Sequence, residues 1–292
     1  GGRYYPKLQA AVPFTPVTGP RLLVRGDLPA AQRAAVTEAL AAGLVRLARA
    51  QGVSSLHVTF PLAAEMPALQ AQGFLPRQGI QFHFTNPGYA DFEDFLAALT
   101  ARKRKQIKRE RREIRDSDLR LRRLAGHEVQ ARHWDAFYDF YCATADKRWG
   151  VPYLTRGFFH EIGRSLAESI LLVLAEDGAG RPVAGALNFV GGDTLYGRNW
   201  GCTADYGFLH FEACYYQAIA HAIETGLARV EAGAQGEHKL QRGYLPVATQ
   251  SAHWIADPGL AAPVGQFLAR ERAAVAEGIA ELAARGPYRA RE

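Results

Sequence analysis

The 292-residue chain lacks long apolar runs and any segment that resembles a secretion signal. A membrane-spanning helix needs about 20 consecutive apolar residues, whereas 170–175, among the longest apolar runs here, is far shorter. The sequence does not open on the basic, apolar and small-residue regions of a signal peptide either. We therefore expect a cytoplasmic protein that does not cross a membrane.

Cysteine is also scarce, and Cys142, Cys202 and Cys214 stand singly and far apart. This spacing excludes a disulfide framework and a zinc-binding pattern, and an odd count is typical of a reducing compartment. The nine histidines show no metal-ligand spacing, so we expect no metal site. Apolar residues make up 48% and charged residues 22%, which is typical of a packed globular protein and excludes extended disorder.

The net charge of +6 comes from one segment. Residues 102–123 contain twelve Lys or Arg residues and four acidic residues, a local charge of +8, so the rest of the chain is slightly acidic. Within the helical pattern at 101–115, only Ile107 and Ile114 are apolar. A helix that is polar on nearly every side bridges domains or faces water and charged ligands. We therefore predict a basic linker helix at 101–120.

The second half of the chain has a distinctive order of predicted elements. Two helices, 134–149 and 155–166, are followed by three strands at 169–176, 182–190 and 194–202, then a helix at 209–225 and a strand at 228–232. In a doubly wound fold, strands and helices alternate strictly. This order instead resembles the acetyltransferase (GNAT) core, in which an antiparallel meander leads into a helix and a parallel crossover strand.

The first 100 residues repeat the later portion of that order. The predicted elements are strands at 21–25, 55–60 and 80–84 with helices at 29–51 and 63–72. We therefore predict an α/β chain with mixed sheets and tandem GNAT-like domains: a partial domain at 1–100, incomplete at its N-terminus, and a second at 121–292 that ends in a helix. On this basis we expect further residues to precede Gly1.

Five segments resemble the predicted N-acyltransferases called FemAB-like: LTARKRKQIKRERR (99–112), the run 134–154 with its DKRWGVPYL, LYGRNWG (195–201), LHFEACYYQAI (209–219) and GAQGEHKLQRGY (233–244). That family is related to the Fem aminoacyl transferases, which build peptidoglycan cross-bridges on tandem GNAT folds. The resemblance covers nearly the whole chain. It implies transfer of an acyl or aminoacyl group to an amine acceptor, a small molecule or cell-wall precursor, in peptidoglycan or cell-envelope metabolism.

The segment GAQGEHK is the strongest candidate for catalytic chemistry. It follows the predicted strand 228–232, at the carboxyl end where ligands of α/β proteins gather. Glu237, His238 and Lys239 can serve as base, proton shuttle and oxyanion clamp, and the alternative is a polar surface loop. We expect these three side chains to converge on a cleft. His210, in the first turn of the next helix upstream, is a further candidate acid or base.

Several polar and aromatic residues are candidates for substrate binding. Arg198 on a central strand is costly to bury without an anion, which can be a substrate phosphate or carboxylate or an internal Asp or Glu. The full set is Arg198, Trp200, Tyr215, Gln235, Arg242, Tyr244 and His253.

We predict no tightly bound cofactor, with acyl-CoA or aminoacyl-tRNA as the co-substrate. CoA-dependent acetyltransferases hold the pyrophosphate with a loop of the form Arg/Gln-x-x-Gly-x-Gly/Ala. The corresponding stretch here, 202–209, has only Gly207 and no matching Arg or Gln. We therefore expect acetyl-CoA to bind weakly.

The basic segment 102–123 has three interpretations: a solvated linker, a site for tRNA phosphates or anionic lipid headgroups, or a site for the phosphates of a nucleotide-linked substrate. The candidate polyanion-binding residues are Arg102, Lys103, Lys105, Arg109 and Arg112. The basic segment also allows an alternative function: a non-enzymatic module with a GNAT scaffold that uses this segment to bind nucleic acid or a membrane surface. The sequence indicates no oligomeric state.

Overall fold

The structure, a computed structural model, describes residues 4–147, 150–233 and 236–289. The strands are β1 (Lys7–Ala10), β2 (Ser55–Thr59), β3 (Leu75–Thr85), β4 (Arg120–Ala125), β5 (Ile170–Glu176), β6 (Pro182–Gly191), β7 (Thr194–Cys202), β8 (Arg229–Glu231) and β9 (Leu245–Ile255). The helices are α1 (Ala30–Ala50), α2 (Met66–Ala71), α3 (Phe92–Ala98), α4 (Ala101–Arg115), α5 (Ala131–Lys147), α6 (Arg156–Ser165), α7 (Leu209–Phe211), α8 (Gln217–Thr225) and α9 (Pro258–Ala284). In the part of the chain so described, no helix is long and apolar enough to span a bilayer.

The chain forms two compact units whose limits differ from the predicted boundaries near residues 100 and 120. Unit 1 comprises Gly1–Gln81 and Pro246–Ala284, and unit 2 comprises Phe82–Leu245 and Arg285–Glu292. The physical reason for the difference is long-range strand pairing. The last strand, β9, pairs antiparallel with β2 rather than with a strand of the second half, and α9 follows β9 into unit 1.

Unit 1 is a mixed sheet in the order β1-β2-β9-β3 with an apolar core. The apolar positions of α1 recur at helical spacing, so Ala41, Val45 and Ala48 lie on one buried face. They pack with Leu56 and Val58 of β2, which alternate with polar residues along the strand.

Unit 2 carries the predicted meander. Antiparallel pairs join β4 to β5, β5 to β6 and β6 to β7; β7 then pairs parallel with β8, which pairs antiparallel with the end of β3. The aromatic residues of α5 and α6, among them Phe137 and Phe159, pack on Leu172 and Leu187 of the meander. Mixed sheets with flanking helices confirm the predicted α/β fold class.

The basic segment does not form the predicted linker. Ile107, Glu110 and Ile114 lie three and four residues apart, so they share one face of α4, and all three are buried. Ile114 packs in an apolar cluster with residues of β5 and β6. The helix and the edge strand β4 that follows it are therefore parts of unit 2.

Candidate functional site

A cavity of about 120 Å³ lies in unit 2 where β7 and β8 separate. The two strands pair only between Thr194–Tyr196 and Arg229–Glu231, while β7 continues to Cys202. The opening is lined by Gly197 to Trp200 on one side and by Ala232 and Gly233 on the other. The two walls are close here, since a Cβ at Gly197 would lie 3.4 Å from the Ala232 Cα, in ordinary van der Waals contact.

A β-bulge shapes the wall that β7 contributes. Leu187 of β6 is paired with Asn199, but the next residue, Asn188, is paired with Gly197, so Arg198 is the extra residue. Bulges re-aim side chains and are frequent beside functional sites. Here both Arg198 and Asn199 line the cavity. Their side chains lie on the face of the sheet that packs against α5 and α6, because Asn199 is paired with Leu187 of that core and the Arg198 Nη2 donates a hydrogen bond of 2.8 Å to the Tyr153 Oη.

The predicted site residues His210, Trp200 and Tyr215 meet in this cavity. The ring centroids of His210 and Trp200 are 5.3 Å apart, as are those of His210 and Tyr215. Tyr215 belongs to a π-helical stretch, Glu212–Tyr216, between α7 and α8. Such stretches widen a helix by one residue per turn and are common at functional sites.

Tyr215 connects the cavity to His238 of the GAQGEHK segment. The Tyr215 Oη and the His238 Nε2 are 2.8 Å apart. The Tyr215 ring is buried and this burial raises its pKa, whereas His238 is exposed. Partial burial, with Arg242 and Lys239 close by, lowers the pKa of His238 below its ordinary value. The pair therefore combines a neutral phenol inside the cavity with a neutral imidazole at its edge.

A glycine sets the position of the imidazole. Gly236 has φ +110°, which favours glycine, and a Cβ there would lie 2.3 Å from the His238 Cε1. The His238 ring thus occupies space that any other residue at position 236 would fill. The short 3₁₀-helix Glu237–Arg242 begins immediately after this glycine.

Lys239 is directed inward and supports the cavity wall. Its side chain is buried, and the Nζ donates a hydrogen bond of 2.7 Å to the carbonyl of Gly233, which lines the cavity. Burial lowers the pKa of Lys239 to about 8. Glu237, in contrast, is exposed, so the three residues expected to converge point to different environments.

The predicted substrate ligand Arg242 is engaged by a buried acid that the sequence patterns did not single out. Its Nη2 lies 3.0 Å from each carboxylate oxygen of Glu110, and its Nη1 donates to the carbonyl of His238 at 2.9 Å. The guanidinium also lies 3.3 Å from the centroid of the Phe211 ring. Glu110 further accepts a hydrogen bond from Tyr216. Arg242 is therefore a structural group that ties α4 to the 3₁₀-helix.

Two further contacts join α4 to the site. Arg111 donates to the buried carboxylate of Glu212 at 3.2 Å, within the π-helical stretch. Lys103, expected to bind polyanions, donates instead to Gln241. The remaining candidates lie on the outer side of the helix. Arg102, Lys105, Arg109 and Arg112, together with Gln106 and Lys108, line a broad depression of about 620 Å³.

Three candidates remain, and the structure describes two of them. Tyr244 is completely buried, and its hydroxyl has no hydrogen-bond partner among the described residues. His253 lies in unit 1, where its Nδ1 is 2.8 Å from that of His57 on β2. Gln235 lies outside the described residues. Within residues 4–147, 150–233 and 236–289, no cluster of three or more His, Cys, Asp or Glu side chains has an arrangement that could hold a metal ion.

Comparison with known proteins identifies a family. The model of the FemAB-like family, described as peptidoglycan biosynthesis and recognition, matches residues 1–290. No curated protein matches the chain.

Solved structures share the fold at low sequence identity. L-PGS from Bacillus licheniformis aligns with a TM-score of 0.56 and 9% identity over 79% of this chain and 78% of that one. The C-terminal domain of a protein assigned as a lysylphosphatidylglycerol synthetase, from Agrobacterium fabrum, aligns with a TM-score of 0.58 and 11% identity over 78% of this chain and 75% of that one. FemX aligns with a TM-score of 0.53 and 12% identity over 87% of this chain and 85% of that one. These similarities confirm the fold that the sequence motifs implied.

Proposed function

The chain belongs to the FemAB-like family, and on that premise we propose that it transfers an acyl or aminoacyl group to an amine in peptidoglycan or cell-envelope metabolism. The family and the fold support a transferase. The observation that carries the proposal is the Tyr215–His238 pair beside the cavity, because transfer to an amine releases a proton that must leave the reacting centre. A binding module has no need of this arrangement.

The geometry supports a proton relay. With His238 neutral, its Nε2 accepts the hydroxyl proton of Tyr215, which leaves the Tyr215 Oη free to accept a proton from the attacking amine. The exposed imidazole then passes the proton to water. Tyr215 and His238 are the catalytic residues in this proposal, and Gly236 and Lys239 position them and the cavity wall.

The outer face of α4 supports a polyanionic donor. Arg102, Lys105, Arg109 and Arg112 are exposed and recur every three or four residues, a spacing of roughly 5–6 Å between neighbouring side chains. That spacing suits the successive phosphates of a nucleic-acid strand. We therefore favour aminoacyl-tRNA over acyl-CoA as the donor, in keeping with the poor pyrophosphate loop at 202–209.

A transfer assay with the purified protein tests the proposal. Aminoacyl-tRNA and acyl-CoA donors, labelled in the acyl group, are incubated with a peptidoglycan precursor that carries a free amine. We expect transfer from aminoacyl-tRNA, strongly reduced by reversal of the four charges on α4 to Glu. Reversal of four exposed charges elsewhere, Arg46, Arg132, Arg270 and Arg285, is the matched control. Transfer from acyl-CoA alone contradicts the donor assignment, and no transfer from any donor contradicts the function.

A further inference from the structure

Asn188 of β6 is a polar residue of the cavity that the sequence patterns did not single out. Its neighbour on the strand, Leu187, packs against α5 and α6, so the side chain of Asn188 lies on the opposite face of the sheet. Ala186, two residues earlier and therefore on the same face as Asn188, packs with Ala213 of the π-helical stretch. Asn188 and Tyr215 thus approach the cavity from the same side of the sheet, and both line it.

Two main-chain carbonyls fix the orientation of the Asn188 amide. The Nδ2 donates hydrogen bonds of 3.3 and 3.2 Å to the carbonyls of Leu171 and Ala186, which uses both of its N–H groups. No described residue donates a hydrogen bond to the Oδ1. Unlike the Asn199 Oδ1, this oxygen is not sealed from solvent. Gly197 has no side chain to cover it, since a Cβ there would lie 3.5 Å from the Oδ1.

The relay through Tyr215 leaves a need that this oxygen meets. A neutral primary amine carries two N–H groups and one lone pair, and in the proposed reaction the Tyr215 Oη accepts one of the two N–H groups. The Asn188 Oδ1 is an acceptor for the other, so the lone pair is left for the acyl carbon. The cavity of about 120 Å³ is slightly smaller than an engineered cavity of about 150 Å³ that holds benzene. It therefore accommodates the amine and the carbons next to it.

We propose that Asn188 orients the attacking amine, and that the protein transfers its acyl group to primary amines in preference to secondary amines. The Asn188 Oδ1 accepts one N–H of the amine and the Tyr215 Oη accepts the other. As the bond between the nitrogen and the acyl carbon forms, the proton on the Tyr215 side passes to the Oη, whose own proton passes to His238. The bond between the acyl carbon and its leaving group breaks, and the leaving group takes a proton from water.

The preference follows from the count of protons. A secondary amine has one N–H, which the transfer to Tyr215 requires, so the Asn188 Oδ1 is left without a partner in the complex. An unpaired polar group that has lost its contact with water destabilises the complex. This inference rests on the proposed function, because Tyr215 must accept a proton for the second N–H to be the one that Asn188 holds.

Transfer assays on the full chain with two matched acceptors test the inference. The acceptors are a peptidoglycan precursor with a free primary amine and the same precursor with that amine monomethylated, each assayed with the donor that the wild type uses. The amine preference is the ratio of kcat/KM for the first acceptor to kcat/KM for the second. Because the unpaired Oδ1 costs a factor of about ten or more, we expect a wild-type preference of at least about tenfold.

Variants of Asn188 should abolish this preference. Asn188→Leu has a similar volume but no acceptor, so the preference should fall close to one. Asn188→Ser is shorter and keeps a hydroxyl that can donate to a main-chain carbonyl; it should give the same result and replaces the leucine variant if that does not fold. Asn86→Leu is the matched control. The Asn86 Nδ2 also donates to a main-chain carbonyl, that of Leu227, but outside the cavity, so this change should leave the preference as in the wild type.

Two outcomes overturn the inference. The first is equal use of the two acceptors by the wild type, a result that depends on no variant. The second is a folded Asn188 variant that retains the wild-type preference, because a loss of structure alone lowers transfer to both acceptors together. Transfer without a preference contradicts this inference alone, whereas the absence of transfer to the primary amine contradicts the proposed function and this inference with it.

Discussion

Glu110→Gln should destabilise the protein strongly, although the residue lies in the most charged segment of the chain. The side chains of Glu110 and Arg242 are 2% and 5% exposed, so solvent does not screen their interaction. Removing one partner of a buried ion pair leaves an uncompensated charge and costs roughly 3–5 kcal/mol. Glutamine can still accept the hydrogen bond from Tyr216, which favours the lower end, about 3 kcal/mol.

Thermal and urea unfolding of matched variants measure this cost. At this chain size, about 3 kcal/mol corresponds to a fall in melting temperature of roughly 6–12 °C. Glu113→Gln is the control, because Glu113 lies on the same helix but is exposed; we expect a change within about 0.5 kcal/mol. Replacing both partners, Glu110→Gln with Arg242→Met, should recover at least half of the loss, since no buried charge is left unpaired.

A change within about 0.5 kcal/mol for Glu110→Gln would refute the reasoning that this pair anchors α4. So would a double variant less stable than the sum of the two single changes predicts. In either case α4 would be held chiefly by Ile107 and Ile114 and by the Arg111 contact to Glu212.

Three further predictions follow from the same geometry. Gly236→Ala should slow transfer by about tenfold or more by displacing the His238 ring, whereas Gly180→Ala, which also has a positive φ but open space around it, should not. The free energy of unfolding should fall as the pH drops from about 6.5 to about 4. Burial above all, and then the neighbouring Arg229 and Lys239, lower the pKa of His83 to about 4, so only the unfolded chain binds the proton in this range. Urea unfolding of His83→Gln should show a weaker dependence of stability on pH. Retention on heparin should fall steeply between roughly 50 and 200 mM salt and be lost on charge reversal at Arg102, Lys105, Arg109 and Arg112, while salt-insensitive retention would contradict the phosphate-binding surface.

Elements with regular patterns could be predicted from the sequence, and elements defined by partners could not. The helix predicted at 29–51 is α1 at Ala30–Ala50, and the three strands of the meander match within one residue. The strand predicted at 21–25 is absent, because the backbone N–H groups of Arg21 and Leu22 donate to the carboxylate of Glu65 instead of to a neighbouring strand.

The strand β4 was not predicted, because of its charge. Three of its six residues are arginines, so the sequence pattern placed it within the basic segment. As an edge strand paired only with β5, it tolerates exposed arginines on one face, and Leu124 is the buried position. Charge at an edge strand and charge in a linker give the same sequence pattern.

The placement of the GAQGEHK segment was predictable from the sequence, but the environment of each of its side chains was not. The GAQGEHK segment does border the cavity through His238 and through the Lys239 contact to Gly233. Glu110 was missed because an acidic residue within a basic run is expected to pair with its basic neighbours in the same helix. Its actual partner, Arg242, lies 132 residues further along the chain. The placement of His253 depends on a cross-strand pair with His57, separated by 196 residues. No local pattern contains such information.

The rate of acyl transfer by Tyr215→Phe tests most directly the claim that the cavity between β7 and β8 is the transfer centre. This change removes one oxygen and leaves the buried ring in place, and Tyr206→Phe on the segment before α7 is the control. A general acid–base contribution predicts a loss of at least about 10²-fold in turnover for Tyr215→Phe, with melting temperature and donor affinity unchanged. Equal turnover by the wild type and by Tyr215→Phe would contradict the account.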